Sequence, residues 1–573
     1  MSGRMLAGGE FVCESLQAEG VDLVFGVPGG AILPLYDHIL KYPSIHHVLT
    51  RHEQGAAHAA DGYARATGKV GVCIATSGPG AINLAVGLGT SFMDSTPIVA
   101  ITGQVTRPAI GKDAFQETDV TGVTIPVTKH NYLVLSAEDI PRVMKEAFHI
   151  ARSARPGPVL VDLPRDVLQE IAEFTGYPET VDDLPGFRPI THPDPVQVEA
   201  AAEMINAAKK PVILAGRGVL VAQAEKELQE LAEKAQIPVI PTLLGIGSFP
   251  GNHYLYVSLM GMHGSAFANL VVDECDLLVN VGSRFDDRII GRVADFAPNA
   301  KIVHLNIDRS AIHQNVFADA PVIGDAKNSL NALLPQVEKQ ARTEWLSRVD
   351  DLRREHPLVV RDFAGKPSTQ YVIKRIHELT NGQAFIVTGV GQHQMWAAQH
   401  YVTDRPNSFI TSGGLGTMGY EVPAAMGAQM GMPNEQVWSI CGDAGFQMTL
   451  QELATIRDEN APVKFAIMNN FHHGMVRQWQ TLFYDKRYSQ INTTGPDFVK
   501  LAEAYGMLGI RVEDIKDVDS AIKRAQDHNG PVIIDFLVEI DELVYPMIPA
   551  GQSVNEMVED PWTQQQPLGT VAR

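Results

Sequence analysis

The sequence predicts an α/β chain of three doubly wound parallel-sheet domains, and three observations carry that prediction. The chain has 573 residues, too many for one hydrophobic core when domains average about 150 residues. Short runs rich in β-branched and aliphatic residues alternate with helical stretches along the whole length, the pattern of parallel strands joined by helical crossovers. The alternation stops and restarts twice, at segments without apolar periodicity.

In chain order, the first domain is placed at residues 1–175. "VGVCIAT" and "PIVAITG" read as buried strands between Ala-rich helices, and "PGPVLVDLP" (156–164) as the last strand. The segment 174–195, "FTGYPETVDDLPGFRPITHPDP", is dense in Pro, Gly and acidic residues and reads as a linker. The second domain, 196–345, has strands at "PVILAGRG", "IPVIPT", "DLLVNVGSR" and "KIVHLNID", with an amphipathic helix at "AEKELQELAEKA". After the charged helix "EWLSRVDDLRREHP" and the loop "LVVRDFAGKPS", the third domain spans 368–555, with strands at "AFIVTGVG", "QVWSICGDAG", "PVKFAIMNN" and "PVIIDFLV". No short repeat period and no low-complexity tract is visible.

Composition narrows the function. Hydrophobic residues make up 45% and charged residues 20%, the balance of a soluble globular protein, and no apolar run is long enough to cross a bilayer. The opening "MSGRMLAGGEFVCESLQAEG" lacks a charged head followed by a continuous apolar stretch, so no secretory leader is expected and the cytoplasm is the expected location. Lys plus Arg number 46 against 66 Asp plus Glu, a net charge of -20, which opposes binding to a nucleic-acid backbone. Cys13, Cys73, Cys275 and Cys441 stand far apart with no C-x-x-C pair, which argues against a zinc clip or a redox motif.

Open parallel sheets bind ligands at the carboxyl ends of their strands, so glycine-rich turns after strands are where chemistry is sought. In "CGDAGFQMTLQELATIRDENAPVKFAIMNNFHHGMVRQW", one strand delivers Gly442, Asp443 and Ala444 and the next delivers Asn469 and Asn470. A single strand–helix–strand unit separates them, which brings both side chains to one sheet edge. A carboxylate, an amide oxygen and a backbone carbonyl are hard ligands suited to Mg²⁺, with positions left for two phosphate oxygens; ordinary turn chemistry is the alternative. "GVGQHQM" (389–395) and "SGGLGTMGY" (412–420) supply further glycine turns suited to backbone contact with phosphate and a planar ring. In "TRHEQGAAHAADGYARATGK" (50–69), Glu53 opens a run of Ala and Gly. It is either a first-turn carboxylate complementing the helix dipole or a catalytic acid–base group.

The G-D-x followed by N-N resembles the thiamin diphosphate signature. "FGVPGGAILPLYD", "RHEQGAAHAADGYARATGK", "SGPGAINL", "ITGQV", "DAFQETD", "TKHNYLV", "RPGPVLVDLPRD", "GMHG", "RFDDR", "GQHQMW", "SGGLGTMG", "GMVRQWQ" and "VYPMIPAGQSVNEM" together resemble, in order, the catalytic large subunit of the acetohydroxyacid synthase (acetolactate synthase) family. The resemblance implies an N-terminal pyrimidine-binding domain, a central FAD-binding domain and a C-terminal domain for diphosphate and Mg²⁺. It also implies the activity: pyruvate is decarboxylated on thiamin diphosphate and the hydroxyethyl unit passes to a second pyruvate or to 2-ketobutyrate, in branched-chain amino acid biosynthesis.

The resemblance assigns roles residue by residue. Glu53 would hydrogen-bond the coenzyme's aminopyrimidine, with Ala56 and Ala57 small enough to let a flat ring approach. Val27, a glycine placed at position 28 of the turn that follows it, Phe115, Gln116 and Gln104 would surround the reacting centre; for Val27 and Gln104 a buried scaffold role is the alternative. Val390, Gly391, Gln392, His393, Gly416, Met418, Gly442, Ala444, Gly445 and Met475 would hold the coenzyme, Met418 beneath its bend; a plain core Met is the alternative. Asp443, Asn470 and His472 would hold Mg²⁺. Arg288 would bind the acceptor carboxylate with a bidentate fork, against the alternative of a surface ion pair with Asp286 or Asp287. Trp479 would favour the larger acceptor by packing its extra methyl, an effect of about 1–3 kcal/mol, unless it is a core Trp. Arg165 would face the substrate entrance.

For FAD, which catalysis in the family does not reduce, the candidates are Gly216, Gly218, Met262, His263, Gly264, Arg284, Asp308 and Asp325. On residues alone the FAD signal is weak, because "LAGRGVLVAQ" falls short of a full G-x-G-x-x-G and lone strand-end Asp residues are otherwise turn formers. Ile82, Gly389, His473 and Arg165 depart from the family's usual pattern. Glyoxylate carboligase, which lacks the pyrimidine-contacting Glu, and pyruvate oxidase, which uses its flavin in redox, are the rivals within the superfamily. Glu53 opposes the first, and Arg288 with Trp479 favours the synthase over both. An inactive paralogue is opposed by Glu53, Asp443 and Asn470 together. The resemblance implies a homodimer or homotetramer with sites between chains, and a separate regulatory small subunit.

Overall fold

Three parallel sheets follow one another along the chain in the computed structural model, which describes residues 4–181, 184–361 and 363–561. The first sheet runs in the order His46–Leu49, Leu23–Gly26, Gly71–Ala75, Ile98–Gln104, Pro158–Pro164, His130–Leu133. The third runs Phe409–Thr411, Phe385–Thr388, Val437–Gly442, Lys464–Asn469, Val532–Leu537, Leu508–Val512. Numbered within its own domain, each sheet reads second, first, third, fourth, sixth, fifth, so the two outer domains share one topology. The central sheet has five strands, in the order Val239–Pro241, Pro211–Ala215, Leu277–Val281, Lys301–Asn306, Ala320–Ile323.

Helices cover both faces of each sheet, so interior strands are buried over nearly their whole length and read as apolar runs. Gly71–Ala75, Ile98–Gln104 and Pro158–Pro164 are buried throughout. The edge strands His46–Leu49, His130–Leu133 and Leu508–Val512 are short and only partly buried, and nothing in their composition singles them out. An antiparallel pair, Arg4–Ala7 with Ile171–Phe174, lies outside the parallel sheets. "PGPVLVDLP" therefore supplies the last strand of the first parallel sheet, with one more strand after it. The Pro-rich segment that follows is partly anchored: Tyr177, Leu184 and Phe187 pack on the first core, and the Tyr177 hydroxyl donates to Glu19 at 2.9 Å. Asp182 and Asp183 of this segment, and Asp362 of "LVVRDFAGKPS", lie outside the described residues.

The first and third domains meet along two helices, Glu53–Thr67 and Glu421–Gly431. Their backbones touch. A Cβ at Gly62 would lie 2.1 Å from the Ala424 carbonyl oxygen, and one at Gly427 would lie 1.8 Å from that of Ala59. This contact is the physical reason for the Ala and Gly run after Glu53. Ala56 and Ala57 are fully buried, and Ala57 packs against Gly87. They are thus core residues of their own chain and present no surface to a ring, contrary to the expectation from sequence.

Beside the helix contact lies a buried charge network. Arg65 donates to Asp61 at 2.6 Å, to Asp94 at 2.9 Å and to the Thr411 carbonyl at 2.7 Å. Tyr420 donates to Asp61 at 2.5 Å, and Asp94 accepts from the Gly413 and Gly414 amides at 3.0 and 2.6 Å. Each charge has partners, the condition under which a buried ion pair is tolerated. Among the described residues no helix is long and apolar enough to cross a membrane, and the four cysteines are free and buried.

Candidate functional site

In the third sheet the strand order reverses at Phe385–Thr388, which has the second strand on one side and the third, Val437–Gly442, on the other. Such a switch point leaves a crevice beyond the strand ends. The register pairs Thr388 with Ile440 and Gly442 with Met468, so the loops after all three strands open on the same edge. Here one cleft brings together Val390, Gly391, Gln392, His393, Met418, Gly442, Asp443, Ala444, Gly445, Asn470, His472 and Met475. Gly416 sits in the turn before Met418, outside the lining.

Glycines in the cleft wall make room for its own polar side chains. A Cβ at Gly474 would lie 2.1 Å from Gln392 Oε1, and one at Gly442 would lie 2.9 Å from His393 Cε1. His393 is buried, and its Nε2 has no hydrogen-bond partner among the described residues. Burial pulls its pKa down to about 4, so the ring is neutral at physiological pH. An orphaned ring nitrogen at a glycine-cleared wall is the condition a polar ligand relieves.

Asp443 is buried and accepts from the Thr493 hydroxyl at 2.6 Å. Burial raises its pKa to about 6, against the lowering effect of Thr493, of backbone amides and of His472. A divalent cation beside it would favour the carboxylate and supply the charge that burial leaves unbalanced. Asn470 Oδ1 accepts from the His472 amide at 3.0 Å, and His472 Nδ1 lies 2.8 Å from the Asn470 carbonyl oxygen. The His472 ring is thereby turned back on its own turn, and no imidazole pair forms with His473. Among the described residues no cluster of three or more His, Cys, Asp or Glu could hold a metal. The donor set is the hard-oxygen one of Asp443 and Asn470, which suits Mg²⁺.

The first domain carries a second group of candidates. Glu53 begins its helix, half-buried, and its Oε2 accepts from Asn83 Nδ2 at 3.0 Å. A Cβ at Gly80 would stand 3.2 Å from Oε1, so the glycine keeps that oxygen clear. Asn83 is a functional neighbour that no sequence signal indicated. Val27 is half-buried. Position 28, expected to be a glycine, is Pro28, exposed, and the turn's first glycine is Gly29. A proline has a fixed φ and no N–H to offer a ligand, so Pro28 stiffens the turn, while the close approach belongs to Gly29, where a Cβ would lie 2.5 Å from Thr76 Cγ2. Gln116 adopts φ +60°, and its carbonyl packs so near Gly78 that a Cβ there would be 2.7 Å away. Phe115 is 88% exposed. Gln104 is committed internally: its Nε2 donates to Asp162 at 3.0 Å and to the Thr118 carbonyl at 2.9 Å, and its Oε1 accepts from Val105 at 2.8 Å. The cleft of the third domain contains no residue of this first-domain group.

The remaining candidates are dispersed. Arg288 is exposed, 3.8 Å from Asp287 and 3.4 Å from the Met262 sulfur, in a cavity between the central domain and the segment 548–554. Trp479 stands edge-on to Phe483 in a hollow with Tyr484 that adjoins the cleft, sharing Met475 and Val476 with it. Arg165 is exposed and starts the short helix Arg165–Gln169. Asp308 and Asp325 cap the turns that follow them, the ordinary behaviour of strand-end Asp. Gly216 and Gly218 abut the backbone of Gly282, and Gly264 that of Met260. His263 is buried, with its pKa pulled down to about 4 by burial and Arg288 and its Nδ1 lacking a partner. Two arginines absent from the sequence-based set add to this region. Arg217 is half-buried and its Nε has no partner among the described residues; its pKa is lowered to about 10 by desolvation and by Arg65. Arg155, 3.5 Å from Asp308, is held down by burial and by Arg284. Guanidiniums are the side chains suited to a dinucleotide's diphosphate.

Three family models match the chain: the thiamine pyrophosphate enzyme N-terminal TPP binding domain over residues 6–123, the central domain over 198–333 and the C-terminal TPP binding domain over 389–536. An acetolactate synthase of Mycobacterium leprae is 49% identical, with 97% of this chain and 91% of the relative covered. The acetolactate synthase large subunit of Corynebacterium glutamicum is 47% identical, over 96% of this chain and 90% of its own. A probable acetolactate synthase large subunit of Methanocaldococcus jannaschii is 45% identical, over 97% and 95%.

Proposed function

Because the chain belongs to the acetolactate synthase family of thiamine pyrophosphate enzymes, we propose that its third-domain cleft binds the coenzyme's diphosphate through Mg²⁺, while Glu53 of a second copy meets the pyrimidine. The reaction is acetolactate synthesis: pyruvate loses CO₂ and its hydroxyethyl unit joins a second pyruvate, giving 2-acetolactate, or 2-ketobutyrate, giving 2-aceto-2-hydroxybutyrate, as the first common step toward valine, leucine and isoleucine. Bound thiamin diphosphate supplies the electron sink for the decarboxylation.

The chain's own residues do the rest. Asp443, Asn470 and the His472 backbone carbonyl hold the metal, His393 offers its neutral Nε2, and the glycine turns let phosphate approach the backbone. Asn83 engages one oxygen of Glu53, which leaves the other to share a proton with the ring nitrogen and so govern its protonation. Val27, Phe115 and Gln116 close over the reacting atoms and keep water out. Arg288 receives the acceptor carboxylate and Trp479 packs the acceptor's extra methyl. FAD lies against Gly216, Gly218, His263 and Arg284, with Arg155 and Arg217 as added cations. The likeness to proteins named large subunits points to a separate regulatory small subunit as partner.

The observation that carries the reading is the switch-point cleft, where Asp443 and Asn470 meet an unpartnered His393. Its lack of any first-domain residue supports a second copy as the source of Glu53. Purified protein given pyruvate, Mg²⁺, thiamin diphosphate and FAD is expected to release acetolactate. Peroxide as the product, or turnover of glyoxylate alone, would instead identify an oxidase or a glyoxylate carboligase, and inertness an inactive paralogue.

A further inference from the structure

The helix that begins at Glu53 follows the second strand of the first sheet, and the helix that begins at Glu421 follows the second strand of the third. Since the two sheets share one strand order, Glu421 is the positional counterpart of Glu53. Their surroundings differ. Glu421 is 0% exposed, and neither of its carboxyl oxygens has a hydrogen-bond partner among the described residues.

Glycines surround that carboxyl. A Cβ at Gly389 would lie 2.5 Å from Glu421 Cδ and Oε1 and 2.6 Å from Oε2, and one at Gly445 would lie 2.5 Å from Oε1. Gly389 opens the loop that leaves the first strand, and Gly445 lies in the short helix Asp443–Gln447 that directly follows the third. Val390, next to Gly389, and Gly445 itself line the switch-point cleft, so these two segments form backbone walls of it. The side chain fills the space between them at van der Waals density, where a missing or an added methyl displaces neighbours.

We propose that Glu421 is a positioning residue whose carboxyl sets the spacing of the two backbone walls that receive the coenzyme's diphosphate. The proposal rests on the coenzyme reading of the cleft. It makes Glu421, Gly389 and Gly445 one matched set, in which the acid at 421 requires bare backbone at 389 and 445. Burial raises the Glu421 pKa to about 7. A neutral amide of the same shape is accordingly a fair replacement.

The test measures thiamin diphosphate affinity in the presence of Mg²⁺, by quenching of tryptophan fluorescence, alongside the melting temperature of the coenzyme-free protein. Glu421→Ala leaves a gap and Gly389→Ala drives a methyl into the carboxyl; each is expected to weaken the Kd by roughly tenfold. The double variant Gly389→Ala/Glu421→Ala refills the gap and is expected to bind within about threefold of the parent, as is Glu421→Gln. A Kd unchanged in Glu421→Ala, with only its melting temperature lowered, assigns the residue to packing and overturns the proposal. So does a double variant that binds no better than the singles or does not fold. Failure of the parent protein to bind thiamin diphosphate would overturn the coenzyme reading and this proposal together, whereas a binding parent with indifferent variants removes this proposal alone.

Discussion

Glu53 and Asp162 are two carboxyl groups of the first domain with opposite duties. Glu53 has one oxygen tied to Asn83 and one left clear beside Gly80. Glu53→Gln is expected to slow hydrogen–deuterium exchange at the thiazolium carbon of the coenzyme by at least about a hundredfold, the usual worth of a positioned acid–base group, with the melting temperature unchanged; exchange at the parent rate would refute the role. Asp162 is buried behind Gln104, accepting from it and from Thr102, and burial raises its pKa to about 7. A carboxyl whose folded pKa exceeds the unfolded value binds its proton more tightly in the folded protein. Its stabilising contribution is complete below about pH 4 and is lost as pH rises through 7. Asp162→Asn removes that titration, so the melting temperature of the variant relative to the parent should climb between pH 5 and 8; a constant difference would contradict the burial of a neutral acid there. Glu53 stood out in the sequence as the one carboxylate heading a run of Ala and Gly, whereas the contacts of Asn83 and Asp162 could not be read there, since they span 30 and 58 residues of chain.

Elements were legible in proportion to burial. Interior strands such as Ile98–Gln104 and Lys464–Asn469 are buried at every position and announce themselves as apolar runs. Edge strands such as His46–Leu49 need cover on one side only and carry no such signature. The Ala and Gly run after Glu53 was legible as special but open to the wrong explanation, because small residues serve a flat ligand and a close helix crossing equally well. The crossing decides. Gly427→Val would drive a branched side chain into the Ala59 carbonyl, and a destabilisation of about 1–3 kcal/mol or more is expected, seen as a lowered first melting transition or loss of folded protein. Wild-type melting would show that the two helices do not meet as described.

For the whole molecule, the separation of the Glu53 group from the Asp443 cleft makes a quantitative prediction. Glu53→Gln and Asp443→Ala chains should each be nearly inactive alone. If each site takes its acid from one chain and its metal ligands from the other, mixed dimers regain one intact site of two. Random pairing makes half the dimers mixed, so co-expression should restore about a quarter of parental activity. No recovery would place both residues of a site on the same chain. Three-domain organisation was visible in the alternation of strands and helices; sites between chains were implied by the family resemblance alone, because a single chain's residues do not say which copy a side chain serves.

The shared strand order of the outer sheets gives the chain an internal pseudo-symmetry. The helices that open at Glu53 and Glu421 hold the same rank in that order and lie against each other, so the seam obeys one steric rule from either side: Gly62 leaves room for the Ala424 carbonyl and Gly427 for that of Ala59.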